Sequence, residues 1–222
     1  MTAMLRVGVL ASGSGTNLAA LIAAQRNGWL GAEIAAVICN VPGARALDRA
    51  REAGIPAILI DHKAHPSRET FEAEIDRSLR AHGVELVVLA GFMRILSPEF
   101  VSRWRGRIVN VHPALLPSFP GMHAIRQALQ AGVRITGCTV HLVDEGTDTG
   151  PILAQAAVPV LPGDDEATLH ARVQKEEHRL LPWVVRLFAE GRIRMEEGKP
   201  VVNLPETAWS STAMRNPEPG EP

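Results

Sequence analysis

Asn110 and His112 stand two residues apart in the run Arg107-Ile-Val-Asn-Val-His-Pro113. In an extended strand that spacing sends both side chains to one face, so an amide donor lies beside a titratable imidazole. Pro113 has no N–H to give and ends the ladder directly afterwards. Pro117, Pro120 and Gly121 restrict the loop that follows. Such a pair at a strand's carboxyl end could stabilise developing negative charge; it could equally be a surface histidine with a capping asparagine.

A second stretch, residues 144–150, places Asp144, Glu145 and Asp148 among glycines at Gly146 and Gly150. Three readings are open. The spacing does not fit a calcium loop, which needs regularly placed oxygens and a distant glutamate. A carboxylate brought to His112 would orient the imidazole and favour its cation. A solvated hairpin tip would need no function. The third stretch, Ser12-Gly-Ser-Gly-Thr-Asn17, follows an apolar run and opens a helix, where backbone N–H groups and the helix dipole favour an anion. Leu18 occupies the place of a third dinucleotide-binding glycine, Asn40 stands where an acid is favoured, and the turn has no lysine for a nucleoside triphosphate. A phosphate monoester therefore fits better than NAD or ATP, with a plain βα turn as the alternative. Met93 and Leu96, in the run 92–96, are core residues or the lining of a slot for a flat ligand. His123, His141, His170 and His178 show no zinc spacing, so no metal is expected.

Elements to hold these residues follow from the apolar runs. Strands are expected over 5–11, 33–40, 55–60, 84–90 and 108–111, with helices between them, which favours a doubly wound, mostly parallel sheet in a three-layer α/β/α sandwich. Residues 135–143 and 151–160 read as an antiparallel pair around the acidic loop. A long helix over 164–189 is expected to kink or break at Pro182. Residues 192–202 suggest a small hairpin, and 204–222, rich in Pro, Glu and Ser, a disordered tail. The 222 residues carry 23 Lys+Arg against 24 Asp+Glu, a balance that argues against general nucleic-acid binding. Cys39 and Cys138 lie in apolar runs and read as reduced core residues. Neither a signal peptide nor a membrane span is visible, so a cytoplasmic location is the default.

Taken together, the turn 12–17, the run Gly91-Phe-Met-Arg-Ile-Leu-Ser97, the run Asn110-Val-His-Pro-Ala-Leu-Leu-Pro117 and the loop Asp144-Glu-Gly-Thr-Asp-Thr-Gly-Pro151 resemble the phosphoribosylglycinamide formyltransferases over about residues 5–203. The resemblance implies a single domain over 1–203, with a Rossmann-like phosphate-binding half to about 106 and a folate-binding and catalytic half from 107. It implies 10-formyltetrahydrofolate as co-substrate and formyl transfer to the amine of 5'-phosphoribosylglycinamide. Asn110, His112 and Asp148 take the catalytic positions. Gly15, Thr16, Asn17 and Glu177 fall on the ribonucleotide site. Arg68, Met93, Arg94, Ile95, Leu96, Asp144, Glu145, Gly146 and Thr147 fall on the folate site. Thr16, Ala114 and Ser118 depart from the residues common at those places. A tRNA-directed formyltransferase would need a further C-terminal domain and a basic face. A formyltetrahydrofolate hydrolase usually carries an extra N-terminal domain. A non-catalytic mononucleotide-binding module would leave Asn110, His112 and Asp148 unexplained. Monomer and homodimer both remain open.

Overall fold

A computed structural model describes residues 4–206. Five strands, β1 (Leu5–Ala11), β2 (Ala32–Cys39), β3 (Ala57–Leu59), β4 (Leu86–Leu89) and β5 (Ile108–His112), run parallel. Then β6 (Ile135–Leu142) and β7 (Ile152–Pro159) complete the sheet antiparallel, in the order β3-β2-β1-β4-β5-β6-β7. The near-continuous apolar runs of β1, β2 and β4 are buried, as strands covered on both faces require. Pro56, which cannot donate to a ladder, precedes the three-residue edge strand β3.

Helices cover the two faces. Buried residues of α1 (Thr16–Arg26), α2 (Arg45–Glu52), α5 (Ala124–Ala131) and α6 (Glu166–Ala189) join one apolar cluster. Those of α3 (Arg68–Ala81) and α4 (Pro98–Arg103) join another. Helix starts are well marked: Ser67 with Thr70 and Asp165 with Thr168 form capping boxes on α3 and α6. Ser97 caps α4 ahead of Pro98. The expected three-layer arrangement is thus present, and β8 (Ile193–Glu196) with β9 (Lys199–Val202) forms the small hairpin.

The break expected at Pro182 does not occur. Helix α6 passes through Pro182 as one element. A mid-helix proline forfeits one N–H bond, here to the His178 carbonyl, and clashes there at a cost of about 3 kcal/mol. Leu181, Val184 and Val185, all fully buried beside it, hold the helix together. The segment between β3 and α3 contains a 3-10 turn, His62–Ala64, capped by Asp61. Leu204 packs on the main core, so the final stretch does not come loose at that residue; residues 207–222 lie outside the described chain. Both cysteines are buried and unpaired, and burial pushes the Cys138 thiol up to about 12.

This topology creates the place for a site. From β1 the chain winds outward through β2 and β3, then returns to β4 on the other side of β1. A crevice opens at such a reversal, at the carboxyl ends of the parallel strands. The 12–17 turn, residues 91–97 and His112 all emerge at that end.

Candidate active site

Strand β5 brings Asn110 and His112 to one face, and the antiparallel register sets His141 of β6 directly opposite Asn110. His112 Nε2 lies 2.8 Å from the Phe119 carbonyl, and Nδ1 lies 3.4 Å from Asp148 Oδ2. A carbonyl only accepts, so Nε2 carries a proton. A proton on Nδ1 as well then puts hydrogen, rather than a lone pair, against the carboxylate. Asn110 Nδ2 lies 3.2 Å from His141 Nε2, whose Nδ1 faces the Leu142 carbonyl at 2.8 Å. Nδ1 therefore carries a proton, and in the tautomer that leaves Nε2 bare the Asn110 amide donates to it.

Asp148 closes the cluster. Its Oδ2 accepts the Gly121 N–H at 2.8 Å, and its Oδ1 is 3.6 Å from His141 Nε2. Burial raises the Asp148 pKa, but the nearby His141 ring, the Gly121 amide bond and the charge of His112 outweigh it and hold the carboxyl below its ordinary value. Asp148 is therefore an anion at neutral pH. Its backbone is left-handed, φ 54°. Gly150 then passes against β6 so closely that a Cβ there would overlap the Leu142 carbonyl. Within the loop, Asp144 Oδ1 accepts from the Gly146 amide and the Thr149 hydroxyl.

The loop after Pro113 is fastened from β6 and β7. Thr139 Oγ1 donates to the Ala114 carbonyl and accepts from the Leu116 amide, while Gln155 Nε2 donates to both Thr139 Oγ1 and the Leu116 carbonyl. Beside this loop opens a cleft of about 830 Å³, lined by Asn110, His112, Asp148 and His141 and by much of residues 91–96. Arg68, Met93, Arg94, Ile95, Leu96, Asp144, Gly146 and Thr147 line it too. The Glu145 carboxylate turns outward and pairs with Arg105 at 2.6 Å. Leu96 is buried while Met93 and Ile95 are 62% and 66% exposed, so the apolar run splits into a core anchor and a free lip.

The turn at β1 is assembled differently. Gly15 is left-handed, φ 67°, and a Cβ there would come within 2.9 Å of Ala46 Cα. It precedes α1 without supplying a side-chain cap, which leaves the first-turn N–H groups uncapped. Gln174 Nε2 donates to Thr16 Oγ1 at 3.0 Å, and Asn17 Nδ2 donates to Glu177 Oε2 at 3.0 Å. Asn17 and Glu177 are 8% and 4% exposed, and Asn17 Oδ1 has no hydrogen-bond partner among the described residues. Burial raises the Glu177 pKa, only partly offset by the Asn17 bond and the charge of His170. Neither His141 nor Gln174 is singled out as a site residue by sequence; both are placed by partners more than thirty positions away. Among the described residues no group of three or more His, Cys, Asp or Glu is arranged to hold a metal ion.

Fold and cluster together define an α/β protein with an amide–imidazole–carboxylate site at the carboxyl end of β5. The formyl transferase family model matches residues 5–185, and the chain belongs to the formyltransferase family, in its phosphoribosylglycinamide formyltransferase branch. It is 50% identical over 184 residues to the phosphoribosylglycinamide formyltransferase of Mycobacterium tuberculosis, covering 83% of this chain and 85% of that protein. The crystal structure of glycinamide ribonucleotide transformylase 1 from Symbiobacterium toebii superposes with a TM-score of 0.88 at 48% identity, covering 91% and 95% of the two chains. A trifunctional purine biosynthetic protein, adenosine-3, of Drosophila pseudoobscura pseudoobscura is 55% identical over 191 residues, 85% of this chain. This chain spans only 14% of that relative's length.

Proposed function

We propose that the chain transfers the formyl group of 10-formyltetrahydrofolate to the amine of 5'-phosphoribosylglycinamide, as a single domain over 1–203. The observation that carries this reading is the convergence of Asn110, His112 and Asp148 at the end of β5, in a cleft that residues 91–96 line with them. The phosphate lies on the N–H groups after Gly15 and the ribose reaches Glu177. The pterin lies against residues 93–96 and the loop 144–148, with Arg68 at the cleft's edge toward the acidic end of the folate.

The amine nitrogen attacks the formyl carbon, and negative charge grows on the formyl oxygen. Asn110 has two amide hydrogens, of which His141 takes one, leaving the other for that oxygen. A cationic His112 adds positive charge beside it, and its Nε2–H turns from the Phe119 carbonyl to the oxyanion. The amine then loses a proton, the carbon–N10 bond breaks, and N10 gains a proton. Asp148 keeps His112 charged and passes the amine's proton through water. His141 holds Asn110 in the orientation this requires. None of these steps calls for a metal ion, and a cytoplasmic location goes with a reaction on two soluble metabolites. No helix among the described residues is long and apolar enough to cross a membrane.

The test is a steady-state assay with 10-formyltetrahydrofolate and three competing acceptors: the ribonucleotide, water and tRNA. Formyl transfer that depends on the ribonucleotide is expected. Equal formyl release in its absence identifies a hydrolase instead, and transfer to tRNA removes the reading as well.

A further inference from the structure

Ser12 closes β1's exit and belongs to neither set of ligand contacts above. Its N–H donates to the Gly91 carbonyl at 3.1 Å. Its Oγ accepts the Met93 N–H at 2.8 Å and donates to Asn40 Oδ1 at 2.6 Å. Asn40 is itself fixed: it is buried, and its carbonyl and amide nitrogen lie 2.9 and 3.2 Å from His62 Nδ1. With Asn40 held, the Ser12 hydroxyl hydrogen has one direction to point, and its lone pairs are left for Met93.

One residue thus belongs to the covalent chain of the 12–17 turn and to the hydrogen-bonded frame of the cleft's lip. Downstream of it the turn is bolted to α2, since Gly13 O accepts from the Ala46 amide and Ser14 O from Arg49 Nε. The lip is fastened again at its far end, where the Ser97 amide and hydroxyl both donate to Glu72. Between these ties Met93 and Ile95 project outward with little packing. The position of the Met93 amide therefore follows the position of Ser12.

We propose that Ser12 is a positioning residue that couples the two ligand sites, so that an anion ordering the turn tightens the cleft, and a pterin ordering the lip tightens the turn. This rests on the functional reading above. The ordering cost of the shared Ser12–Met93 frame is met by whichever ligand arrives first, and the second binds to a frame already set. By linkage the factor is the same in both directions.

Calorimetric titration of the full chain with tetrahydrofolate, with and without saturating ribose 5-phosphate, measures the factor, and the reverse titration checks it. The wild-type chain is expected to bind each ligand at least about fivefold more tightly in the presence of the other, the lower end of typical coupling. In Ser12→Ala the ratio falls to about one, whatever the change in either affinity alone, and Ser12→Thr, which keeps the hydroxyl, restores it. A purely structural role would weaken both ligands and leave the ratio standing. A ratio near one in the wild-type chain with both ligands bound, or a ratio that persists in Ser12→Ala, overturns the coupling alone. Failure of the wild-type chain to bind either ligand overturns the functional reading, and the coupling with it.

Discussion

The two sides of the site are made on opposite plans. Around the turn at β1 the polar groups are already engaged: Asn17 with Glu177, Thr16 with Gln174, the Gly13 and Ser14 carbonyls with α2. Its key side chains are buried, and Gly15 lies against Ala46. Across the crevice, the cleft's lip exposes Met93 and Ile95, and the facing loop combines internal bonds from Asp144 with single outward ties from Asp148 to Gly121 and from Glu145 to Arg105. The difference matches the two ligands proposed for these sides. A small, hard anion gains most from donors largely set in advance, because little beyond the Ser12–Met93 frame has to be ordered when it arrives. A large flat ring gains area from apolar side chains that close over it. Between these plans stand Asn110, His112 and Asp148, which share the rigidity of the first side and the openness of the second.

The sharpest way to break this division is at its middle. His112→Ala and Asp148→Asn are each expected to lower kcat by roughly 10²–10⁴, the usual range for a lost acid–base or charge-stabilising group. The fold should survive in Asp148→Asn, because the side-chain amide oxygen that replaces the carboxylate can still accept the Gly121 N–H. Circular dichroism with turnover numbers checks both, and near-normal turnover in either variant removes that residue from the mechanism. Because Asp148 sits below its ordinary pKa, its charge persists as pH falls through the ordinary carboxylate range and is lost only below it. An activity limb near neutral pH therefore does not belong to Asp148.

How much of this is visible in sequence depends on distance along the chain. The i, i+2 spacing of Asn110 and His112 and the density of acid in 144–148 are local signals, and the structure brings those residues together. The strand pattern is legible for the same reason, since burial on both faces leaves uninterrupted apolar runs. His141 is not, because its proximity to Asn110 comes from strand register across 31 residues, and a buried strand histidine has no local mark. Glu145 is the converse case: it stands inside the same loop, but its side chain leaves toward Arg105, a pairing across 40 residues that no local pattern marks. Pro182 carries a strong local signal for a break, which the buried packing of α6 overrides.

On the rigid side the expected effects are smaller and fall on binding. Thr16→Glu puts a carboxylate at the turn where the phosphate is proposed to sit, removes the hydroxyl that Gln174 holds, and should raise the ribonucleotide KM by roughly 10–100-fold, about 1.4–2.8 kcal/mol. The folate KM should move by a smaller factor. An unchanged ribonucleotide KM would displace the phosphate from this turn. On the open side, Ile95→Ala removes an exposed lip residue and should raise the folate KM several-fold, in line with about 25 cal/mol per Å² of apolar area covered. The ribonucleotide KM should hardly change in that variant. Equal effects on the two substrates would erase the contrast between the two sides.

The smallest effect is the one that tests rigidity itself. Glu177 is a buried carboxyl whose pKa is raised, first by burial and against a partial offset from Asn17 and His170. A folded-state pKa above the unfolded value means that the folded chain holds the proton more tightly. The associated stability is fully present below the ordinary carboxyl pKa and is lost as pH rises through the raised value. Above the raised value the native state carries a buried charge that burial makes costly, at the position proposed to meet the ribose. Glu177→Gln removes that charge and keeps an oxygen of similar size. It should raise the midpoint of thermal unfolding at pH 7 by a few degrees, ~2–4 °C for each kcal/mol recovered in a chain of this size. The gain should shrink toward zero as the pH is taken below the ordinary carboxyl range, where the wild-type group is protonated in both states. Ribonucleotide KM should rise in the same variant. Scanning both proteins from about pH 4 to 8, across the ordinary and the raised carboxyl range, decides the matter. A variant less stable than wild type at pH 7 would mean that the Asn17–Glu177 pair stabilises the turn outright, and the rigid side would then owe its order to charge rather than bear the charge as a cost of function.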